Sequence, residues 1–117
     1  MTTRTSTSQA VQRLGEVMEA AEIDTTGVAR ILSKDAKTVR RWLASKAAPR
    51  WDAKETVLAL NVVLERLAEV GEAGSAEEWL FTPVPALSNR RPVDLIRDGQ
   101  FREVLDLIDA IGEGVFT

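Results

Sequence analysis

Between Asp52 and Val70 the chain reads DAKETVLALNVVLERLAEV, and the apolar spacing leaves little choice of secondary structure. Val57, Leu60, Val63, Leu64, Leu67 and Val70 recur every three or four residues, which puts them on one side of an α-helix. Leu58 and Val62 make a second line, more than about 100° from the centre of the first. One stripe seats a helix on one core, and a second line needs another surface. The expectation is a spine helix over residues 51–71, closed by Gly71, with the second line free to serve a second packing side or a dimer seam. Trp51, just ahead of it, is expected to staple the helix start or fill the seam between the two halves.

A chain of 117 residues with 44% apolar content can bury one core, or two small cores sharing a central helix. No apolar run approaches the ~20 residues that cross a bilayer, and the polar start MTTRTSTSQAVQR has no signal-like apolar stretch. The absence of cysteine excludes disulfides and thiolate chemistry and fits a reducing, cytoplasmic setting, with no membrane partner. Histidine and tyrosine are absent too, so proton transfer would have to run on shifted carboxylates or lysines. No P-loop, Rossmann glycine pattern or metal-ligand spacing is present. The chain is therefore read as a non-enzyme without cofactor or metal.

The net charge of −3 conceals two halves of opposite sign. Residues 1–50 hold nine Lys/Arg against five Asp/Glu, and residues 51–117 hold six against thirteen. Such asymmetry points to two kinds of partner. In the basic half, residues 1–6 read as a disordered Thr/Ser-rich leader. From about Thr7 to Ala21, Val11, Leu14, Val17, Met18 and Ala21 mark an amphipathic helix in which Gly15 points to a close helix approach. Thr25 or Thr26 is expected to cap a short helix carrying Val28, Ala29, Ile31 and Leu32. A turn at Ser33–Lys34 leads to Asp35, the expected N-cap of a helix reaching about Ser45. Ala36, Val39, Trp42 and Leu43 share its inner side, while Lys37, Arg41 and Ala44 point away, flanked by Thr38, Arg40 and Ser45.

This spacing resembles a helix-turn-helix of the Xre/phage-repressor kind, with Ser33 where such motifs usually place glycine. The resemblance implies DNA phosphate contacts from Lys34, Lys37, Arg40 and Arg41, with Thr38 and Ser45 near base edges and Lys46 and Arg50 as further backbone contacts. The plainer alternative is a solvated charged face. Six cations against one anion between Lys34 and Arg50 favour DNA.

In the acidic half, Ser75 and Glu78 have capping-box spacing ahead of a short helix AEEWLF, ended by Pro83. Trp79, Phe81 and Leu87 are expected in the core. Pro92 opens a helix to Arg97, and Gln100–Ile111 forms the last one, with Phe101, Val104, Leu105, Leu107, Ile108 and Ile111 in an apolar stripe wider than one neighbour requires. After it, Gly112-Glu113-Gly114 leads to an apolar tip, Val115-Phe116, and Thr117.

The stretch WLFTP…L…RRPVDLIRDGQFREVLDLIDAIGEGVF closely resembles the toxin-binding domain of antitoxins of the Xre/MbcA/ParS family, MbcA-type members in particular. The resemblance implies an all-α chain: a helix-turn-helix headpiece (1–50), a connecting spine (51–71) and a small C-terminal toxin-binding domain (72–117). It implies a RES-domain toxin that consumes NAD⁺ as partner, an active-site entrance covered by the C-terminal region, and a headpiece able to bind the operon's own promoter. The expected assembly is a homodimer or a larger hetero-oligomer with the toxin. Toxin contacts are expected from Arg91, Arg97, Asp109, Gly112, Glu113, Gly114, Val115, Phe116 and Thr117. Arg91 and Arg97 are equally readable as surface partners of Asp94 and Asp98, and Gly112–Thr117 as a frayed end. A stand-alone helix-turn-helix regulator whose C-terminal unit only dimerises is the alternative from a different class.

Overall fold

The computed structural model describes residues 2–71 and 75–114, with side chains from Gln9 onward. The described residues form seven α-helices and one 3-10 turn, Pro85–Leu87. They are α1 (Thr2–Ala21), α2 (Thr25–Leu32), α3 (Ala36–Leu43), α4 (Trp51–Glu69), α5 (Ala76–Leu80), α6 (Pro92–Arg97) and α7 (Phe101–Gly112). The chain is all-α, as expected. One correction falls at the start: α1 begins at Thr2, so residues 2–6 continue the helix rather than forming a disordered leader. No glycine or proline stands between Thr2 and Val11 to stop the helix.

The spine α4 lies along α1 and touches α2, α5, α6 and α7 as well. Its expected stripe is buried except at its last member, half-buried Val70, with Val57, Leu60, Val63, Leu64 and Leu67 at most 1% exposed. Leu58 and Val62 do not form the second packing side: Leu58 stays 44% exposed and Val62 half-buried. The helix widens its contact through Ala59 and Asn61 instead, both buried on the flanks of the main stripe. One continuous cluster of buried side chains runs from Ala10 in α1 to Ile108 in α7. The headpiece and the C-terminal unit thus share a core across α4, inside a body of 46 × 23 × 22 Å.

Local capping follows side-chain reach. Asp24, not Thr25 or Thr26, is the N-cap of α2, its carboxylate accepting the Gly27 N–H at 2.8 Å. The turn between α2 and α3 closes as a Schellman motif. Lys34 N–H donates to Ala29 O at 2.8 Å and Ser33 N–H to Arg30 O at 3.3 Å. This requires Ser33 to sit in the left-handed region, φ 57°, and serine adopts the conformation that glycine usually supplies. Asp35 is the N-cap of α3, as expected, without a side-chain capping bond.

Gly15 proves not to mark a tight helix crossing. A Cβ there would meet only Leu43 Cδ2, at an ordinary 3.8 Å. Gly15→Ala is therefore expected to stabilise the fold by about 0.5–1 kcal/mol through helix propensity. Ser33→Gly should add up to about 1 kcal/mol by removing left-handed strain. Urea denaturation of the two single variants checks both, and a lowered midpoint in either refutes the corresponding local account.

Candidate functional site

The basic surface is built by the way α3 seats itself. Val39 is fully buried and Trp42 is 4% exposed, so the helix is locked by its inner side and Lys37, Arg40 and Arg41 face solvent. Lys34 projects from the preceding turn, and Thr38 is half-buried at the edge of the helix. Ser45, expected within α3, lies two residues beyond its end and terminates it in the left-handed region, φ 61°. Among the described residues, none of Lys34, Lys37, Arg40, Arg41, Lys46 and Arg50 has a carboxylate within ion-pair distance. The positive charge of this face is uncompensated locally, which is what a phosphate-binding surface needs.

The C-terminal unit is fastened to the headpiece by Arg97. Its Nε–H donates to Ile31 O at 2.9 Å, and a terminal NH₂ donates to Arg30 O at 2.8 Å. Both carbonyls belong to the last turn of α2, where backbone acceptors lack helical partners and the helix dipole favours a cation. Phe81 sits beside this bond. The guanidinium of Arg30 lies 3.8 Å from its ring centroid, with those of Arg91 and Arg97 at 5.5 and 5.8 Å. Arg30 also pairs with Glu77 at 3.0 Å. Arg91 grips Asp94 in bidentate fashion, both bonds 2.9 Å. Arg97 reaches Asp94 at 3.6 Å and makes no pair with Asp98, the partner its sequence position suggested. Asp94 is one helical turn back on the same face, whereas Asp98 is the residue that ends the helix. Hydrogen bonds from Arg91 hold the Asp94 carboxyl below its ordinary range; burial opposes them, and the charges of Arg91 and Arg97 add smaller pulls in the same downward direction.

The remaining expected contact residues collect elsewhere. Asp109 of α7 is paired with Arg66 of α4. A Cβ on Gly112 would come within 2.8 Å of Val70 Cγ1, so the missing side chain is what lets the end of α7 close onto the end of α4. Glu113 and Gly114 follow, exposed. Val115, Phe116 and Thr117 lie outside the described residues. The expected toxin-binding residues thus fall into two groups: Arg91 and Arg97 beside Phe81 and α2, and Asp109 to Gly114 near the far end of α4.

Three expectations about aromatic residues need correction. Trp79 and Phe81 are half-buried at the margin of the core, and Leu80 between them takes the fully buried position. Trp51 neither staples α4 nor fills a seam, remaining 77% exposed. At 100° per residue it falls on the same outer face as Leu58 and Val62, away from the packing stripe. The arginine shell around Phe81 had no signal in the sequence, because Arg30 and Phe81 are brought together only by packing of the two halves.

A family model described as the antitoxin Xre/MbcA/ParS C-terminal toxin-binding domain matches residues 60–114. Relatives named mycobacterial cidal antitoxin MbcA, from Mycobacterium bovis and Mycobacterium tuberculosis, are 38% identical over 110 residues, covering 94% of this chain and 91% of theirs. This chain belongs to the Xre/MbcA/ParS antitoxin family. A solved chain from the crystal structure of the M. tuberculosis MbcT–MbcA toxin–antitoxin complex has the same fold. Its TM-score is 0.78 at 34% identity, over 92% of this chain and 96% of that one. The family match spans the second half of α4 through α7 and so contains Arg91, Arg97 and Asp109, while α3 lies ahead of it.

Arg97→Ala removes two charge-assisted bonds and leaves two α2 carbonyls with fewer donors. The expected loss is about 1–3 kcal/mol in urea denaturation. Asp94 contributes stability that is complete above the ordinary carboxylate pKa near 4 and lost as pH falls through its lower folded value. Asp94→Asn should accordingly flatten the acid limb of the stability profile while changing its neutral-to-alkaline shape little. An acid limb identical to that of the parent chain would refute the pairing.

Proposed function

We propose that this chain is the antitoxin of a type II toxin–antitoxin pair, that its partner is a RES-domain toxin consuming NAD⁺, and that it neutralises this toxin by occluding the active site with its C-terminal region. The observation that carries the reading is the family membership together with the 0.78 TM-score to a chain crystallised in a toxin–antitoxin complex. Inhibition of this kind needs no catalytic group, since a bound segment excludes substrate sterically. The pair works in the cytoplasm, and the exposed Leu58 with half-buried Val62 offers apolar surface for assembly into a dimer or a larger complex with toxin.

The segment assigned the occluding role is Gly112–Thr117. Its Val115-Phe116 pair carries about 200 Å² or more of apolar surface, whose burial against a partner is worth several kcal/mol at ~25 cal/mol/Å². Glu113 lies just before that pair, exposed and without an ion pair among the described residues, and gives acidic complementarity to an electropositive nucleotide-binding pocket, whereas Asp109 is held by Arg66. Arg91 and Arg97 act in this reading by holding the C-terminal unit in place. Removing residues 112–117 should leave helical content intact by circular dichroism and weaken neutralisation of the co-expressed toxin. Full protection of cells by the shortened chain would refute occlusion by this segment.

A second activity is supported by the uncompensated cations of α3. The headpiece binds the promoter of its own operon, with Lys34, Lys37, Arg40 and Arg41 on phosphates and Thr38 and Ser45 near base edges. Lys37→Glu/Arg41→Glu should abolish a gel shift on the upstream DNA, and the parent chain should lose affinity steeply with added salt. Neutralisation of toxin should persist in the double variant. A stand-alone regulator would show the reverse, its biological effect vanishing with the charge reversals and surviving the tail deletion.

A further inference from the structure

Trp51 is the most exposed large apolar side chain among the described residues, at 77%. An indole carries about 150–250 Å² that folding or binding normally covers. Here it borders a cleft of about 620 Å³, within the ~300–1,000 Å³ common for binding clefts. The cleft is walled by three separate parts of the fold: the end of α2 and its turn, the first three turns of α4, and the α6–α7 junction. Leu32, Ile96 and Phe101 supply its apolar wall.

The charged groups of the lining are three carboxylates, Asp52, Glu55 and Asp98, against two cations, Lys34 and Arg97, with the hydroxyls of Ser33 and Thr56 beside them. Asp52 accepts the Ala53 N–H at 2.8 Å, and the Arg97 guanidinium is turned onto the α2 carbonyls. Glu55 and Asp98 line the cleft without an ion pair among the described residues, against the single uncommitted cation of Lys34. Trp51 and Glu55 are separated by one helical turn of α4, which puts an aromatic face and a free carboxylate about 5–6 Å apart at their Cβ atoms. A planar guanidinium satisfies both at once, stacking on the indole and donating to the carboxylate. A lysine ammonium, compact and strongly hydrated, matches only the second. An anionic ligand would meet two free carboxylates.

We propose that this cleft is a docking site for an extended segment of a partner protein carrying an arginine. The guanidinium lies on Trp51 and pairs with Glu55 and Asp98, and an adjoining apolar side chain of the segment packs against Leu32, Ile96 and Phe101. The site lies at the α4 end opposite Gly112 and does not depend on the reading of residues 112–117 as the occluding segment.

The probe is an acetylated, amidated Leu-Arg-Leu tripeptide, titrated at low salt into the uniformly ¹⁵N-labelled full chain. The three indole N–H signals, assigned with single Trp→Phe variants, separate the exposed Trp51 from the half-buried Trp79 and the buried Trp42. The Trp51 indole and the amides of Asp98 and Gly99 should shift saturably while Trp42 does not. Glu55→Gln/Asp98→Asn, both exposed positions, should weaken binding at least about 5-fold, as should replacing arginine by uncharged citrulline. Trp51→Ala should abolish the shifts at Asp98 and Gly99. Equal response to the citrulline peptide, or no response at Trp51, overturns the proposal. So does a Trp51 shift produced by AMP and not by the arginine peptide, which would make this a nucleotide site. A Trp51 signal that moves with protein concentration alone would assign the cleft to a second copy of the chain and overturn it as well.

Discussion

A helix buried over more than half its circumference cannot be served by one neighbour, and α4 is in that position. Its apolar stripe, broadened by Ala59 and Asn61, obliges α1 to cover one flank and the C-terminal helices the other. The shared core follows from this, as does the elongated shape. Asn61 is the polar exception within it. Its amide donates to Ala10 O at 3.0 Å, while its own carbonyl oxygen accepts no hydrogen bond among the described residues. A slide of α1 along α4 would strand the donor too, so an apolar seam with no preferred register acquires one.

The second constraint is electrostatic and joins the same parts. Arg97 donates its bonds to backbone carbonyls at the end of α2, and so fastens α6 to the helix that carries the turn into α3. Phe81 beneath the three guanidiniums lets them approach one another, because an aromatic face and the carboxylates of Glu77 and Asp94 offset their repulsion. The headpiece and the C-terminal unit are accordingly one mechanical body. A basic α3 face and a partner-binding unit held on the same core present two charge-distinct surfaces from a single small chain.

This arrangement also explains why a chain without histidine, cysteine or tyrosine can have a specific biological role. Recognition requires shape and placed charge, both of which helices supply. Among the described residues, surfaces left uncommitted by the core include the cations of α3, the exposed Glu113 after α7, and the Trp51 rim. They lie on different elements, so each can be altered by substitution without dismantling the packing that supports the others.

Much of the fold was legible because its causes are local. Apolar periodicity located most of α1 and the bodies of α2, α3, α4 and α7, capping-box spacing marked α5, Pro92 opened α6 where expected, and Leu87 entered the core as a lone apolar residue in a loop. The likeness of the C-terminal stretch to the antitoxin family was carried by contiguous residues and was likewise readable in one dimension. Local signals erred where two residues compete for one job: Asp24 outreached Thr25 and Thr26 for the α2 cap, and Leu80 displaced Trp79 and Phe81 from the centre of the core. The partners of Arg97 stand 66 and 67 positions away in sequence, and no spacing rule spans that distance. Periodicity and capping are decided by neighbours along the chain, so the sequence alone determined the helices and the family. Which arginine meets which carbonyl, and which tryptophan stays in water, depends on how those helices close around α4, and only the tertiary structure decided it.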